Sequence, residues 1–304
     1  MRRGNSTRHV MTLLNDASAL RNLHARARGW ARVLKLPFRQ QRWRGNAGEF
    51  MGGGTGSSLD FHDHRVYLPG DDPRQINWQA YARTGTYSMK LYREEVRPLV
   101  DVVLDVSASM FAFPSKEQRA LELLAFAVES SLQSGATLRC HAIAGSKQQR
   151  LEPEVILSGK WPEQVSELHG TPSAPELNRL PLRAGAMRIF ISDLLFPGEP
   201  ESTLGCLSTR NGRGIVLAPY ANDEADPGWD GNYEFIDPET GLPHEHRVES
   251  ALLKRYESAY KRHFELWKAA ALKHGIAMAR VSAEAEFQKA LQNEGVASGA
   301  VETA

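Results

Sequence analysis

The chain has 304 residues, of which 41% are hydrophobic and 24% charged, the proportions of an ordinary globular protein with one large core or two modest ones. No apolar run approaches the ~20 residues of a membrane-spanning helix, and Met1-Arg2-Arg3-Gly4 is not followed by the apolar core of a signal peptide, so a cytoplasmic protein is expected. Cys140 and Cys206 are the only cysteines, too few for a disulfide framework or a cysteine-based zinc site. The net charge of +1 conceals an asymmetry: residues 1–50 hold eleven Arg or Lys against Asp16 and Glu49, which leaves the rest of the chain acidic. Such a cationic head binds nucleic acid, anionic lipid or an acidic partner, or it lies as a charge-faced helix on its own body.

In chain order, Leu20, Leu23, Ala27, Trp30, Val33 and Leu34 recur at spacings of three and four among arginines, which predicts an amphipathic helix over 18–36, ended by Pro37. Residues 45–58 are a glycine-rich passage without the G-x-x-x-x-G-K-[ST] of a phosphate loop. The next segment, 60–78, is dense in charge. Arg65, Arg74 and Arg83 alternate there with Asp63, Asp71 and Asp72 around Tyr67, Trp78 and Tyr81, and Arg–carboxylate pairs beside aromatic rings predict a stiff polar plug. Strand patterns follow at 87–92 and 98–105, then a helix over 116–133 closed by Gly135. Further strands are expected at 137–144, 187–193 and 214–218, and a hairpin over 233–237 and 245–248 around Glu239-Thr240-Gly241. A long helix at 250–274, a strand at 276–281 and a short helix at 284–292 complete the pattern, and the small, polar residues 295–304 are expected to be disordered. Strands alternating with helices predict an α/β fold: a doubly wound, mostly parallel, Rossmann-like sheet with an irregular N-terminal segment.

The run Val102-Val103-Leu104-Asp105-Val106-Ser107-Ala108-Ser109 carries the chemistry. Val and Leu without period-2 polarity read as a buried parallel strand, and its carboxyl end delivers a carboxylate and two hydroxyls to the edge where open α/β sheets bind ligands. Oxygen donors of this kind suit a hard divalent cation such as Mg²⁺, with Mn²⁺ or Ca²⁺ as alternatives. Asp193 closes a second apolar strand and is expected at the same edge, and Thr171, in the loop His169-Gly170-Thr171-Pro172-Ser173, offers a further hydroxyl. The competing reading of the Asp-Ser loop is a turn whose side chains bond their own backbone.

The order Asp105-x-Ser107-x-Ser109, Thr171, Asp193 resembles the metal-ion-dependent adhesion site of von Willebrand factor A-like domains. The upstream Arg65-Val66-Tyr67-Leu68-Pro69-Gly70-Asp71-Asp72-Pro73-Arg74-Gln75-Ile76-Asn77-Trp78, with Ala82-Arg83-Thr84, resembles the signature of the domain of unknown function 58 family, bacterial proteins that join this segment to a von Willebrand-like domain. Together the likeness covers roughly residues 45–290. Two departures stand out: Asn77 replaces the family's usual Asp before the Trp, and Thr171 is followed by Pro172-Ser173 instead of the usual threonine-loop pattern, with Ser173 as an alternative hydroxyl.

The resemblance implies four segments: a basic helical head at 1–44, the Arg/Asp-rich signature at 45–95, a von Willebrand factor A-like domain at 96–293 and a disordered tail at 294–304. It implies a metal site of Asp105, Ser107, Ser109, Thr171 and Asp193, one open coordination position for an acidic residue of a partner protein, and a MoxR-type AAA+ ATPase as that partner. The function so implied is a non-enzymatic, metal-dependent adaptor. Two other readings compete: a Mg²⁺-dependent phosphoryl-transfer enzyme with Asp105 as nucleophile, which lacks an Asp-x-Asp spacing and an obvious acid or base, and nucleic-acid binding through the basic head, which lacks a recognised fold for it.

Overall fold

The computed structural model describes residues 16–38, 59–94, 97–168 and 173–304. The chain forms two compact units, a smaller one over Arg42–Arg97 and a larger one over Met1–Gln41 with Pro98–Ala304. In the larger unit, α1 (Ala17–Val33) leads into β1 (Leu34–Lys35). In the smaller unit, β2 (Leu59–Val66), α2 (Trp78–Thr84) and β3 (Ser88–Glu94) follow. The larger unit resumes with β4 (Leu99–Asp105), α3 (Pro114–Gln133), β5 (Thr137–Ala144), β6 (Lys147–Leu151), α4 (Pro153–Ser158), α5 (Trp161–Val165) and β7 (Met187–Ile191). It continues with α6 (Pro200–Ser208), β8 (Arg213–Tyr220), α7 (Asn222–Ala225), β9 (Gly231–Ile236) and β10 (Pro243–Val248). The last elements are α8 (Ser250–Lys273), β11 (Ala277–Ser282), α9 (Phe287–Ser298) and β12 (Glu302–Thr303).

The central sheet has six strands in the order β11-β8-β7-β4-β5-β6, all parallel except β6, which runs antiparallel to β5. This is the expected mixed α/β, Rossmann-like architecture. Its inner strands are apolar on both faces, as parallel strands covered by helices must be: Val100, Val102 to Leu104, Ile189 to Ile191 and Ile215 to Ala218 are all buried. Val103, Phe190 and Val216 point into a core filled by α6 and α8, with Leu204, Phe264 and Trp267. On α9, Phe287 packs against Phe126 of α3 and stacks at 4.0 Å on Trp30 of α1. The chain leaves β4 for β5 on one side, then returns to place β7 on the other, so the β4–β7 gap is the topological switch point of the sheet.

The described part of the basic head, residues 16–38, packs on this core. Asp16 caps α1 by accepting Ser18 N–H at 2.8 Å and Ala19 N–H at 3.0 Å, and Leu20, Ala27, Trp30 and Ala31 are buried. Its charges face acids of α3: Arg28 Nε donates to Glu129 Oε2 at 3.1 Å, and Arg26 lies 3.6 Å from Glu122. Both arginines remain more than half exposed, so the helix carries a charged outer face. His24 is buried beside Glu129 at 3.4 Å, and burial outweighs that carboxylate, lowering its pKa.

Residues 294–304 correct the expectation of a disordered tail. They extend α9 to Ser298, turn at Gly299 (φ +74°) and pair β12 with β1 in antiparallel register. The small residues are there for close packing: a Cβ on Gly295 would lie 2.8 Å from Val301 Cγ2, and Ala300 and Val301 are buried.

In the smaller unit, β2 and β3 form an antiparallel pair with a register shift between Phe61 and Asp63. Of the charges expected to form a polar plug, one Arg–carboxylate pair is present, and it lies near the surface. Arg65 makes a bidentate pair with Asp71, both contacts 2.6 Å, and Asp71 also accepts Leu68 N–H at 2.9 Å. Asp72 caps the following turn through Arg74 N–H at 3.0 Å, while the Arg74 and Arg83 side chains are exposed. Asn77 accepts Ala80 N–H at 3.2 Å as the N-cap of α2, a role Asn fills as well as Asp. The rings of Tyr81 and Tyr87 stack at 4.3 Å. Arg65→Ala is therefore expected to speed hydrogen exchange of the β2–β3 amides, and Arg74→Ala to leave it unchanged. Equal protection in both variants would show that the pair does not order this unit.

Candidate functional site

The strand β4 ends in a carboxylate that never reaches solvent. Asp105 is fully buried; its Oδ1 accepts Ser107 N–H at 2.9 Å and its Oδ2 accepts Ser192 Oγ–H at 2.7 Å. The first bond turns the chain so that the Ser107 and Ser109 hydroxyls sit 3.2 Å apart on one loop. The turn reading and the site reading of Asp105-x-Ser107-x-Ser109 are thus compatible: the aspartate shapes the loop, and the hydroxyls are what it presents.

Across the switch point, Ser192 and Asp193 follow β7 in sequence and send their side chains to different partners. Ser192 reaches Asp105, whereas Asp193 Oδ2 accepts from Lys116 Nζ at 3.0 Å and its Oδ1 accepts Leu195 N–H at 3.1 Å. The Asp193 N–H is directed at Met110 Sδ at 3.0 Å. Next in the chain, Leu194 is held at φ +61°, a left-handed conformation costly for a branched side chain. It stays there because its side chain is buried and its N–H donates to Ser192 Oγ at 3.1 Å.

Lys116, in the first turn of α3, is wholly buried between Asp193 and Glu224 and hydrogen-bonds both. Glu224 in turn accepts Ala221 N–H at 3.0 Å. Burial would lower the Lys116 pKa, but the two carboxylates outweigh it and raise it, so the ammonium stays charged. Three buried carboxyls (Asp105, Asp193 and Glu224) therefore share one cation, and with all three ionised two negative charges would lack a compensating group; burial accordingly raises the Glu224 pKa. Asp105 bears the consequence: burial first, then the charge of Asp193, push its pKa up to about 7 against the pull of its hydrogen bonds.

A fourth carboxylate arrives from the hairpin β9–β10. Glu239 Oε1 accepts Ser109 N–H at 2.8 Å, while its Oε2 is buried without a hydrogen-bond partner. Among the described residues no group of three or more His, Cys, Asp or Glu is placed to hold a metal ion. A cation here would instead rest on the hydroxyls of Ser107 and Ser109 together with nearby acids. The donors fit a hard cation: all are oxygen, and the surplus charge matches a divalent ion.

Of the residues singled out in the sequence, Asp105, Ser107 and Ser109 lie together and Asp193 lies in the same acidic cluster, its oxygens turned to Lys116. Thr171 falls outside the described residues, and Ser173, its alternative, is exposed. Ser192, Lys116, Glu224 and Glu239 were not foreseen. Lys116 carried one signal: a lysine in the first turn of a helix opposes the helix dipole and needs another reason to be there.

With this arrangement in view, the comparisons are informative. A family model described as "Protein of unknown function DUF58" matches residues 63–265, about two thirds of the chain. The chain belongs to that family. Uncharacterized proteins of Mycobacterium tuberculosis and Mycobacterium bovis are each 26% identical to it over 249 residues, spanning 76% of this chain and 77% of theirs. Among solved structures, a conserved hypothetical protein, BatB, from Bacteroides thetaiotaomicron aligns at 16% identity and a TM-score of 0.33, covering 66% of this chain and 98% of its own. An aerotolerance-related membrane protein from Bacteroides fragilis aligns at 14% and 0.28, covering 59% and 98%. Likenesses that distant carry no argument about the site. In the present chain, among the described residues, no helix is long and apolar enough to cross a membrane.

Proposed function

We propose that this protein is a non-enzymatic adaptor that binds a partner protein through a divalent cation, Mg²⁺ in the first instance, held at the Ser107–Ser109 loop with Asp105 and Asp193. The observation that carries the reading is the unbalanced charge: a fully buried Asp105 shares its surroundings with Asp193 and Glu224, and Lys116 answers only one of the three. Buried charge without a counter-charge is expensive; a proton on Asp105 relieves it in acid, and above about pH 7 a cation does the same. The loop's neutral hydroxyl donors leave such an ion electron-poor, so it holds an incoming Asp or Glu. The family resemblance supplies the partner: a MoxR-type AAA+ ATPase in the cytoplasm, offering an acidic side chain. Thr171 remains the proposed further hydroxyl ligand.

Against phosphoryl transfer, the chain lacks an Asp-x-Asp spacing and an obvious acid or base beside Asp105. Against nucleic-acid binding, the basic head matches no recognised fold for it.

The test is thermal. Mg²⁺ in millimolar excess is expected to raise the melting temperature of wild type, as any ligand of the folded state does. In Ser107→Ala/Ser109→Ala the rise is expected to vanish, with the melting temperature in EDTA held within a degree or two. A Mg²⁺-dependent rise that survives the double substitution places the ion elsewhere and overturns the reading.

A further inference from the structure

The hairpin β9–β10 pairs with no other sheet among the described residues, and much of it is exposed: Tyr233, Ile236 and Leu242 all face solvent. Isolated two-stranded hairpins are marginal structures, so this one is held by what its ends touch. At its base Trp229 packs against Phe235 and against Tyr256 of α8, with ring centroids 4.9 and 5.5 Å apart, beside an open apolar groove that Val248 and Leu252 help to line. The base is thus held by apolar packing.

Its tip is the opposite. Asp237 orders the turn, accepting Glu239 N–H at 2.9 Å on Oδ1 and Thr240 Oγ1–H at 2.8 Å on Oδ2. Gly241, at φ +70°, returns its N–H to Asp237 O at 2.8 Å. That geometry projects Glu239 onto the serine loop, 130 residues away in sequence, where Oε1 takes Ser109 N–H. The other oxygen, Oε2, is buried with nothing to bond. A carboxylate oxygen kept from water and left unpaired costs free energy, and no purely structural role for the tip requires it.

We propose that Glu239 is the protein's own acidic ligand for the cation site: its Oε2 fills the coordination position otherwise open to a partner, and a partner's acidic residue binds only by displacing it. This inference rests on the metal-binding reading above and adds to it a competitor built into the chain. The ribbon then works as a strap, its base packed on α8 and its tip on the site. Partner selection becomes a contest between two carboxylates, one tethered and one arriving on another protein.

The experiment uses Mn²⁺ alone as probe, on full-length wild type and two variants. Glu239→Gln keeps an oxygen for Ser109 N–H and removes the anionic ligand; Glu239→Ala removes both. Mn²⁺ is expected to bind about tenfold more weakly to either variant, since cation affinity follows the number of charged ligands. Water-proton relaxation is expected to report one more exchangeable water on the bound ion in both. Hydrogen exchange across residues 231–248 is expected to slow on adding Mn²⁺ in wild type and to be unaffected in Glu239→Gln. If wild type binds Mn²⁺ and Glu239→Gln matches it in affinity, hydration and hairpin protection, the strap is wrong and the cation site stands. If wild type binds no Mn²⁺, the cation site fails and the strap with it.

Discussion

In EDTA, Asp105→Asn is expected to melt several degrees above wild type and to gain nothing from Mg²⁺. Most substitutions at a fully buried, doubly hydrogen-bonded position destabilise, so the sign is diagnostic. Asparagine keeps Oδ1 as the acceptor for Ser107 N–H, but puts an NH2 where Ser192 Oγ–H found its acceptor, so that bond must reverse, with Nδ2–H donating to Ser192 Oγ, at a cost of about 1–3 kcal/mol. It removes a negative charge from a cluster that already holds Asp193 and Glu224 against a single Lys116. With the Asp105 pKa raised to about 7 and near 4 in the unfolded chain, holding it ionised costs on the order of 4 kcal/mol, at 1.36 kcal/mol per pKa unit. The balance favours Asn.

The same shift fixes the pH dependence. A carboxyl whose folded pKa lies above its unfolded value binds its proton more tightly when folded. Its contribution to stability is therefore full below about pH 4 and is lost as pH rises through about 7. Metal-free wild type is thus expected to lose stability across that window relative to Asp105→Asn, and saturating Mg²⁺ is expected to restore it. Melting curves at intervals from pH 4.5 to 8, with and without EDTA, check all three statements. A variant that melts below wild type in EDTA at pH 8 would mean that the buried charge is already compensated, and the reason for a cation would be gone.

How much of this was readable in the chain depends on how far each feature reaches. The inner strands announce themselves, because a strand covered on both faces is an unbroken apolar run, as Ile189-Phe190-Ile191 and Ile215-Val216-Leu217-Ala218 are. Asp105 and Asp193 are legible as acids closing such runs, and parallel pairing of β4 with β7 brings their ends together. What no local pattern carries is the assignment of partners. Arg65 pairs with Asp71, six residues on, and not with a partner of Arg74, because the Pro69-Gly70 turn decides which charges meet. Lys116 meets Asp193 and Glu224 across 77 and 108 residues, and Glu239 meets Ser109 across 130. These contacts exist only once sheet order and loop paths are set. The C-terminus shows the complementary error: Ala297-Ser298-Gly299-Ala300 has the composition of a tail, yet its small residues are what allow Val301 to close against Gly295.

Lys116→Met is expected to be the most damaging single substitution at the site and to act in opposite directions on the fold and on the ion. Methionine fills the space of the lysine stem, so lost packing is minor. What changes is that Asp193 and Glu224, both buried, lose the ammonium they share. Stranding the partners of a buried ion pair costs about 3–5 kcal/mol, roughly 10 °C in melting temperature for a domain of this size. Adding Glu224→Gln, which keeps an acceptor for Ala221 N–H, is expected to recover much of the loss by removing one of the stranded charges. The uncompensated charge of the cluster meanwhile rises from two to three, so Mg²⁺ is expected to bind the variant more tightly and to narrow its gap from wild type. Melting temperatures of wild type, Lys116→Met and Lys116→Met/Glu224→Gln, each measured against a Mg²⁺ titration, separate the two effects. A gap between the first two that Mg²⁺ leaves unchanged would mean that the ammonium and the ion do not share a field, and the charge argument for the cation site would fall.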